Sequence, residues 1–272
     1  MMSDSRFNKW LARWKLVQDG EAIAIGRSSS LLLPVLCDGA PAMLKIAVDE
    51  EETRGGAMMD WYAGCGAAKV LAHDGPALLL ERLAGQRDLS TMARSGQDDE
   101  ATGIICSVVA KLHAPRAQVS PESLVPMQIW FRQLDPAALR YGGILTTCAT
   151  AARDLLAQPQ NIVPLHGDIH HGNILDGGER GWLAIDPKGV LGERGFDYAN
   201  LFRNPEACFA GEPGRLQRRV EIVARAARLE PKRLLTWILA YAGLGAAWTM
   251  DSGGQDEAGL AIARIAATEL GA

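Results

Sequence analysis

Cysteine pairs at metal or redox spacing are missing from this chain. Its five cysteines, Cys37, Cys65, Cys106, Cys148 and Cys208, form no CxxC pair and no dense framework. That argues against a zinc ribbon or a disulfide scaffold and fits a reducing cytoplasm. A basic excess is missing too. With a formal net charge of -4 there is no electrostatic footprint for nucleic acid, and mild acidity suits a cationic small molecule. No uninterrupted run of about 18 apolar residues occurs, and the opening MMSDSRFNKW holds no apolar h-region, so neither a membrane span nor export is expected. There is no internal repeat, no low-complexity tract and no GxGxxG.

The chain has 272 residues, 48% of them hydrophobic, enough to bury the core of one bilobal enzyme or two modest domains. Its densest chemistry runs from Leu165 to Tyr198, LHGDIHHGNILDGGERGWLAIDPKGVLGERGFDY. Here Asn173 follows Asp168 at an offset of five, and Asp186 closes the short apolar strand Trp182-Leu183-Ala184-Ile185. Phosphoryl transfer needs such a set: a carboxylate (Asp168) facing the acceptor hydroxyl, with Asn173 and Asp186 holding the magnesium ions that neutralise charge on the transferring phosphate. Protein kinases share the aspartate-to-asparagine spacing, with Gly167 standing here where they carry arginine. His166, His170 and His171 suggest a helical zinc site only superficially, because Gly167 and Gly172 break the helix that it needs.

Upstream of this stretch the signals are mostly those of strands. Residues 14–18 and 21–25 about Asp19-Gly20 predict a hairpin. Ser28, Ser29 and Ser30 then precede the run 31–36; small hydroxyl residues there could bring backbone N–H groups and hydroxyls to nucleotide phosphates, although a plain serine turn has the same composition. Lys45 interrupts the strand 42–48. It is either the outward residue of an alternating strand or the lysine that grips α/β-phosphates beside a glutamate of the next helix, residues 49–63, which opens on Asp49-Glu50-Glu51-Glu52. Strands over 68–73 and 77–83 follow, and the backbone of Glu81, Arg82 and Leu83 is the expected adenine-binding hinge.

Beyond residue 83 the strand signals give way to helical ones. Apolar spacing predicts helices over 98–113, 136–157, 213–229, 231–250 and 255–270, the fourth opened by Pro231 in its first turn. The expected fold is therefore α+β and bilobal, with a small β-rich nucleotide-binding lobe over 1–83 that holds one helix, a connection at about 81–90, and a larger helical catalytic lobe over 84–272.

Segments along nearly the whole chain carry a family likeness: WKLVQDGE, LPVLCDGAPAMLKIA, SGQDDEA, KLHAPR, the stretch from PLHGD to LFRNP, and KRLLTWILAYAGLGAAW. The chain resembles the aminoglycoside 6-phosphotransferases (streptomycin 6-kinases) within the aminoglycoside/hydroxyurea antibiotic-resistance kinases; HGDxxxxN is common to many kinases, GWLAIDPKGVLGERGFDYAN far more particular. The resemblance implies a protein-kinase-like fold, ATP and Mg2+ as cofactors, Asp168 as base, Asn173 and Asp186 as metal ligands, and Lys45 paired with Glu52, Glu51 being the other possible partner. It also implies His166 and Asp197 as supports of the catalytic loop. The implied substrate is an aminoglycoside, streptomycin at its 6-hydroxyl; from the rest of the sequence the protein is expected to be a cytoplasmic monomer. Glu193, Glu206 and Asp251 are candidates to pair with a guanidinium-rich drug, and Trp248 to stack on it, although a tryptophan sharing a helix with Trp237 and Tyr241 is as readily core. Gly172 stands where relatives carry an acidic residue, and Lys188 occupies a variable position. Alternatives are a kinase for hydroxyurea or another small alcohol, and a non-catalytic nucleotide-binding pseudokinase.

Overall fold

The N-terminal sheet is built on two strands, β3 (Leu31–Cys37) and β4 (Ala40–Ile46), paired from Leu31↔Ile46 to Cys37↔Ala40. Asp38 and Gly39 between them both take positive φ, as a tight Asp-Gly hairpin turn requires. The computed structural model describes residues 5–24, 30–206, 209 and 211–271. Among these, β1 (Val17–Gln18), β2 (Ile23–Ala24), β5 (Val70–Asp74) and β6 (Ala77–Glu81) complete the sheet in the order β1-β3-β4-β6-β5, with β2 also on β3. The predicted hairpin of residues 14–25 is not formed. β1 and β2 lie end to end along β3, because Pro34 in mid-strand has no N–H to give to a ladder and its carbonyl takes the Asp19 N–H at 2.9 Å, so the chain bulges past it.

Strand β6 shows how the sheet serves two cores. Ala77 and Leu79 face an apolar cluster with Leu33, Val35, Leu44 and the buried Phe7 and Trp10 of helix α1 (Ser5–Arg13), an element the sequence reading did not anticipate. Leu78 and Leu80, on the opposite face as the two-residue period demands, join Met58, Met59 and Tyr62 of helix α2 (Glu50–Tyr62) in a cluster continuous with the helical part.

That part is laid around the helix Pro231–Asp251, which is buried from Trp237 to Ala247 and capped by the Glu230 carboxylate on the amides of Lys232 and Arg233. Helices 98–112, 215–227 and 257–270 agree with expectation to within a turn. The single helix expected over 136–157 is instead two, Leu134–Tyr141 and Ile144–Ala157. Gly142 and Gly143, both at positive φ, turn the chain between them.

Short strands between the helices set the catalytic stretch. β8 (Ile162–Leu165) pairs antiparallel with β11 (Val190–Glu193), which also runs parallel to β7 (Val125–Pro126). β9 (Ile174–Asp176) and β10 (Trp182–Ala184) form a hairpin. The turn carrying Asp168 and Asn173 thereby comes beside the turn carrying Asp186, and the Ile185 N–H donates to Asn173 O at 2.9 Å. Arg87 and the Gly85 amide bind Asp176, which ties the connection after β6 down onto this hairpin.

Candidate active site

Asp168 is held from three sides. Asn200 Nδ2 donates to its Oδ1 at 2.7 Å, Asn173 Nδ2 donates to its Oδ2 at 3.2 Å and to its backbone oxygen at 2.9 Å, and His170 Nε2 lies 3.7 Å from Oδ2. Burial pushes the carboxyl pKa up, but the His170 contact and the positive charge of Lys188 outweigh it and leave the value below the ordinary one. Asp168 is thus a fixed carboxylate with one edge still open, its side chain 27% exposed.

Buried groups make the turn rigid. Asp197, on the short helix Phe196–Ala199, accepts the amides of His166 (2.9 Å) and Gly167 (2.7 Å) and the Nε2 of His113 (2.8 Å). His166 donates from Nε2 to Ile185 O at 2.8 Å and accepts the Asp168 amide at Nδ1, 3.2 Å. One ring therefore joins the base to the residue before Asp186, and burial lowers its pKa and keeps it neutral.

Facing this turn is a ring of four charges. Lys45 pairs with Glu52 and Asp186 at once, so its side chain points to the cleft and the outward reading fails. Lys188 takes the remaining oxygens, 3.0 Å from Asp186 Oδ2 and 3.2 Å from Glu52 Oε1. Ser30 Oγ adds a 2.5 Å hydrogen bond to Glu52. Burial raises the Asp186 pKa, and the two lysines more than reverse this, holding it far below the usual carboxylate range. Asn173 spends its amide N–H groups on Asp168 and so keeps its amide oxygen as an acceptor. With the Asp186 carboxylate it makes a pair of hard oxygen donors beside a site already drawing positive charge, a set that fits Mg2+.

Other expected residues lie elsewhere. Ser28 and Ser29 fall outside the described residues. At the hinge, the amides of Glu81 and Arg82 are donated to Lys69 O and Pro41 O, and the Glu81 side chain binds Arg180 and the Lys69 amide; Leu83 keeps the free N–H of the three among the described residues. Glu193 points into the helical part. It is buried and accepts from Arg233 Nε (2.7 Å), Trp237 Nε1 (2.8 Å) and the Gln160 amide (2.9 Å), which consumes its charge inside the helical part. Trp248 packs edge-on against Trp130 (5.7 Å) and Tyr241 (6.4 Å) at the margin of the core. Glu206 is exposed and paired with Arg94, and Asp251 is exposed at the end of its helix.

Three participants escaped the sequence reading. Asn200 touches Asp168 across 32 residues; its only signal is that it stands three after Asp197, on the same face of a helical turn. His113 lies in KLHAPR without spacing to any motif, and Lys188 gives no sign of facing Glu52.

A family model described as aminoglycoside/hydroxyurea antibiotic resistance kinase matches residues 13–253. A streptomycin 3″-kinase from Klebsiella pneumoniae is 48% identical over 248 residues, covering 89% of this chain and 92% of that protein. A streptomycin 6-kinase from Streptomyces griseus is 31% identical, covering 89% and 81%. Among solved structures, an amicoumacin kinase in complex with AMP-PNP and Ca2+ aligns with a TM-score of 0.65 at 12% identity, over 98% of this chain and 93% of that one. The fold is therefore protein-kinase-like, a small sheet lobe and a larger helical lobe.

Proposed function

The chain belongs to the aminoglycoside/hydroxyurea antibiotic resistance kinase family, and from that premise we propose that it transfers the γ-phosphate of ATP to a hydroxyl of streptomycin. The observation that carries the reaction is the convergence of Asp168, Asn173, Asp186, Lys45 and Glu52, drawn from four separate segments, at one site. We assign the lobe boundary to residue 83, between the end of β6 and the helix that opens at Leu89, and place the protein in the cytoplasm, with its ATP.

Asp168 accepts the hydroxyl proton as the oxygen attacks, and the amides of Asn200 and Asn173 aim its carboxylate. Such general-base assistance is worth about 10²–10⁴-fold. Lys45 passes to the nucleotide phosphates, Glu52 holds Lys45 in reach, and Leu83 offers its N–H to the base of the nucleotide. Asn173 and Asp186 would hold Mg2+, which supplies charge neutralisation on the phosphates when bound. All the chemistry is positioning and electrostatics, and every residue that it needs is here, which argues against a pseudokinase.

The 6-hydroxyl of the streptidine ring is the reading that agrees with the sequence resemblance and with the Streptomyces griseus relative. A second reading, the 3″-hydroxyl, is favoured by the 48% identity to the Klebsiella pneumoniae protein. Incubation with MgATP and a panel of aminoglycosides, hydroxyurea and simple alcohols, followed by phosphorus-coupled NMR of the product, decides acceptor and position. Phosphorylation of hydroxyurea or another alcohol, with no aminoglycoside product, would overturn the streptomycin assignment.

A further inference from the structure

The Asn200 amide that meets Asp168 Oδ1 is itself held by a neighbour. Asn200 opens the short 3-10 helix Asn200–Arg203, and Asn204 follows it. Asn204 Nδ2 donates to the Asn200 backbone oxygen at 2.9 Å and to Asn200 Oδ1 at 3.2 Å. A backbone carbonyl only accepts, so the first bond fixes the Asn204 amide with its NH2 toward Asn200. The second then requires oxygen at that end of the Asn200 amide, which leaves the Asn200 NH2 for Asp168, 2.7 Å away. Turned round, Asn200 would set its oxygen against a carboxylate and its NH2 against another NH2. The Asn204 backbone is anchored from the other side. Arg215 Nη2 and Arg219 Nη1 donate to its carbonyl at 3.1 and 3.2 Å, and Arg219 Nη1 also reaches Leu201 O at 3.1 Å. Asp98 takes Arg215 with both oxygens, each at 2.8 Å, and Arg219 Nε donates to Thr102 Oγ1 at 3.0 Å. Asp98, Thr102, Arg215 and Arg219 are all buried.

We propose that Asn204 is a positioning residue: it sets which end of the Asn200 amide faces Asp168, and helices 98–112 and 215–227 hold its backbone where it can do so. The two ends of an asparagine amide have nearly the same shape and opposite hydrogen-bonding sense. Packing around Asn200 therefore selects neither end, whereas a donor fixed on its far side does. The order of dependence runs one way, from the Asp98, Arg215 and Arg219 cluster to Asn204, from Asn204 to Asn200, and from Asn200 to the carboxylate. The effect on rate rests on the proposed phosphotransfer role of Asp168, but the chain of hydrogen bonds does not.

The test uses the full chain and a double-mutant cycle with MgATP and streptomycin. Asn204→Ala should lower kcat about fivefold, the scale of one lost neutral hydrogen bond, with both KM values within about twofold. Asn204→Asp keeps the size but offers only acceptors, so it should turn Asn200 round and lower kcat at least as far as Asn200→Ala does. In the Asn200→Ala background, Asn204→Ala should cost less than about twofold more, because the residue through which it acts is gone. A second readout needs neither nucleotide nor acceptor, so it separates failure of this inference from failure of the proposed function. In protein labelled with 15N-asparagine, the Asn200 side-chain protons, assigned by their loss in Asn200→Ala, should exchange with water about fivefold faster in Asn204→Ala. Those of Asn173, which also bind Asp168, should not change, whereas a general loosening of the fold would speed both. Unchanged Asn200 exchange in Asn204→Ala, a wild-type kcat in that variant, or an equal kcat loss in the two backgrounds overturns the proposal.

Discussion

A carboxylate becomes a base by being aimed as much as by being charged, and at Asp168, the proposed base, two amide side chains hold the carboxylate. Asp168→Asn keeps the size and removes the charge; it should lower kcat by roughly 10²–10⁴-fold while MgATP binding, read by calorimetry, is retained. Asn200→Ala leaves the charge and removes the 2.7 Å donor. It should lower kcat by about tenfold, a lost hydrogen bond to a charged group, with ATP KM unchanged; a kcat equal to wild type removes Asn200 from the account. At this scale the sequence was legible where chemistry is local. The offsets of Asp168, Asn173 and Asp186 pointed to one site, and the structure brings Asp168 onto Asn173 and sets Asp186 next to Ile185, whose amide bonds Asn173. Asn200, His113 and Lys188 act across 32, 84 and 136 residues, and nothing in their own neighbourhoods announces the partner.

At the scale of elements, Glu193 makes the sharpest case. An acidic residue close to the catalytic stretch reads as a drug contact until the helix Pro231–Asp251 is seen to deliver Arg233 and Trp237 onto it. Glu193→Ala should therefore cost stability of about 3 kcal/mol, as breaking a buried pair does, measured by urea unfolding, with streptomycin KM unchanged in the folded fraction. A raised streptomycin KM at wild-type stability would return Glu193 to the acceptor site. Most helices and strands were readable from periodicity, as with β3, β4 and 98–112. The exceptions have local causes: Pro34 prevents the expected hairpin, Gly142 and Gly143 split a helix, and α1 is too short for Phe7 and Trp10 alone to declare it.

For the molecule as a whole, two buried histidines couple folding to pH. Burial lowers the pKa of His166, and burial with the nearby Arg219 and Arg215 charges takes that of His171 to about 2. Both stay neutral in the folded chain below the ordinary histidine value of 6.5, where an unfolded histidine is protonated. The unfolded state binds more protons in that window, so stability falls as pH drops through it. Thermal unfolding should show a lower Tm at pH 5.5 than at pH 7.5. His171→Leu should flatten the difference, since neither ring nitrogen has a partner to lose among the described residues; an equally steep pH dependence in that variant would assign the effect elsewhere. The central proposal is that this chain phosphorylates streptomycin with Asp168 as base. The most direct measurement is mass spectrometry of streptomycin after incubation with MgATP and purified wild-type or Asp168→Asn protein. The account predicts a singly phosphorylated drug from the wild type and a rate lower by about 10²–10⁴-fold from the variant. Unmodified drug with the wild type, or equal rates from the two proteins, would contradict it.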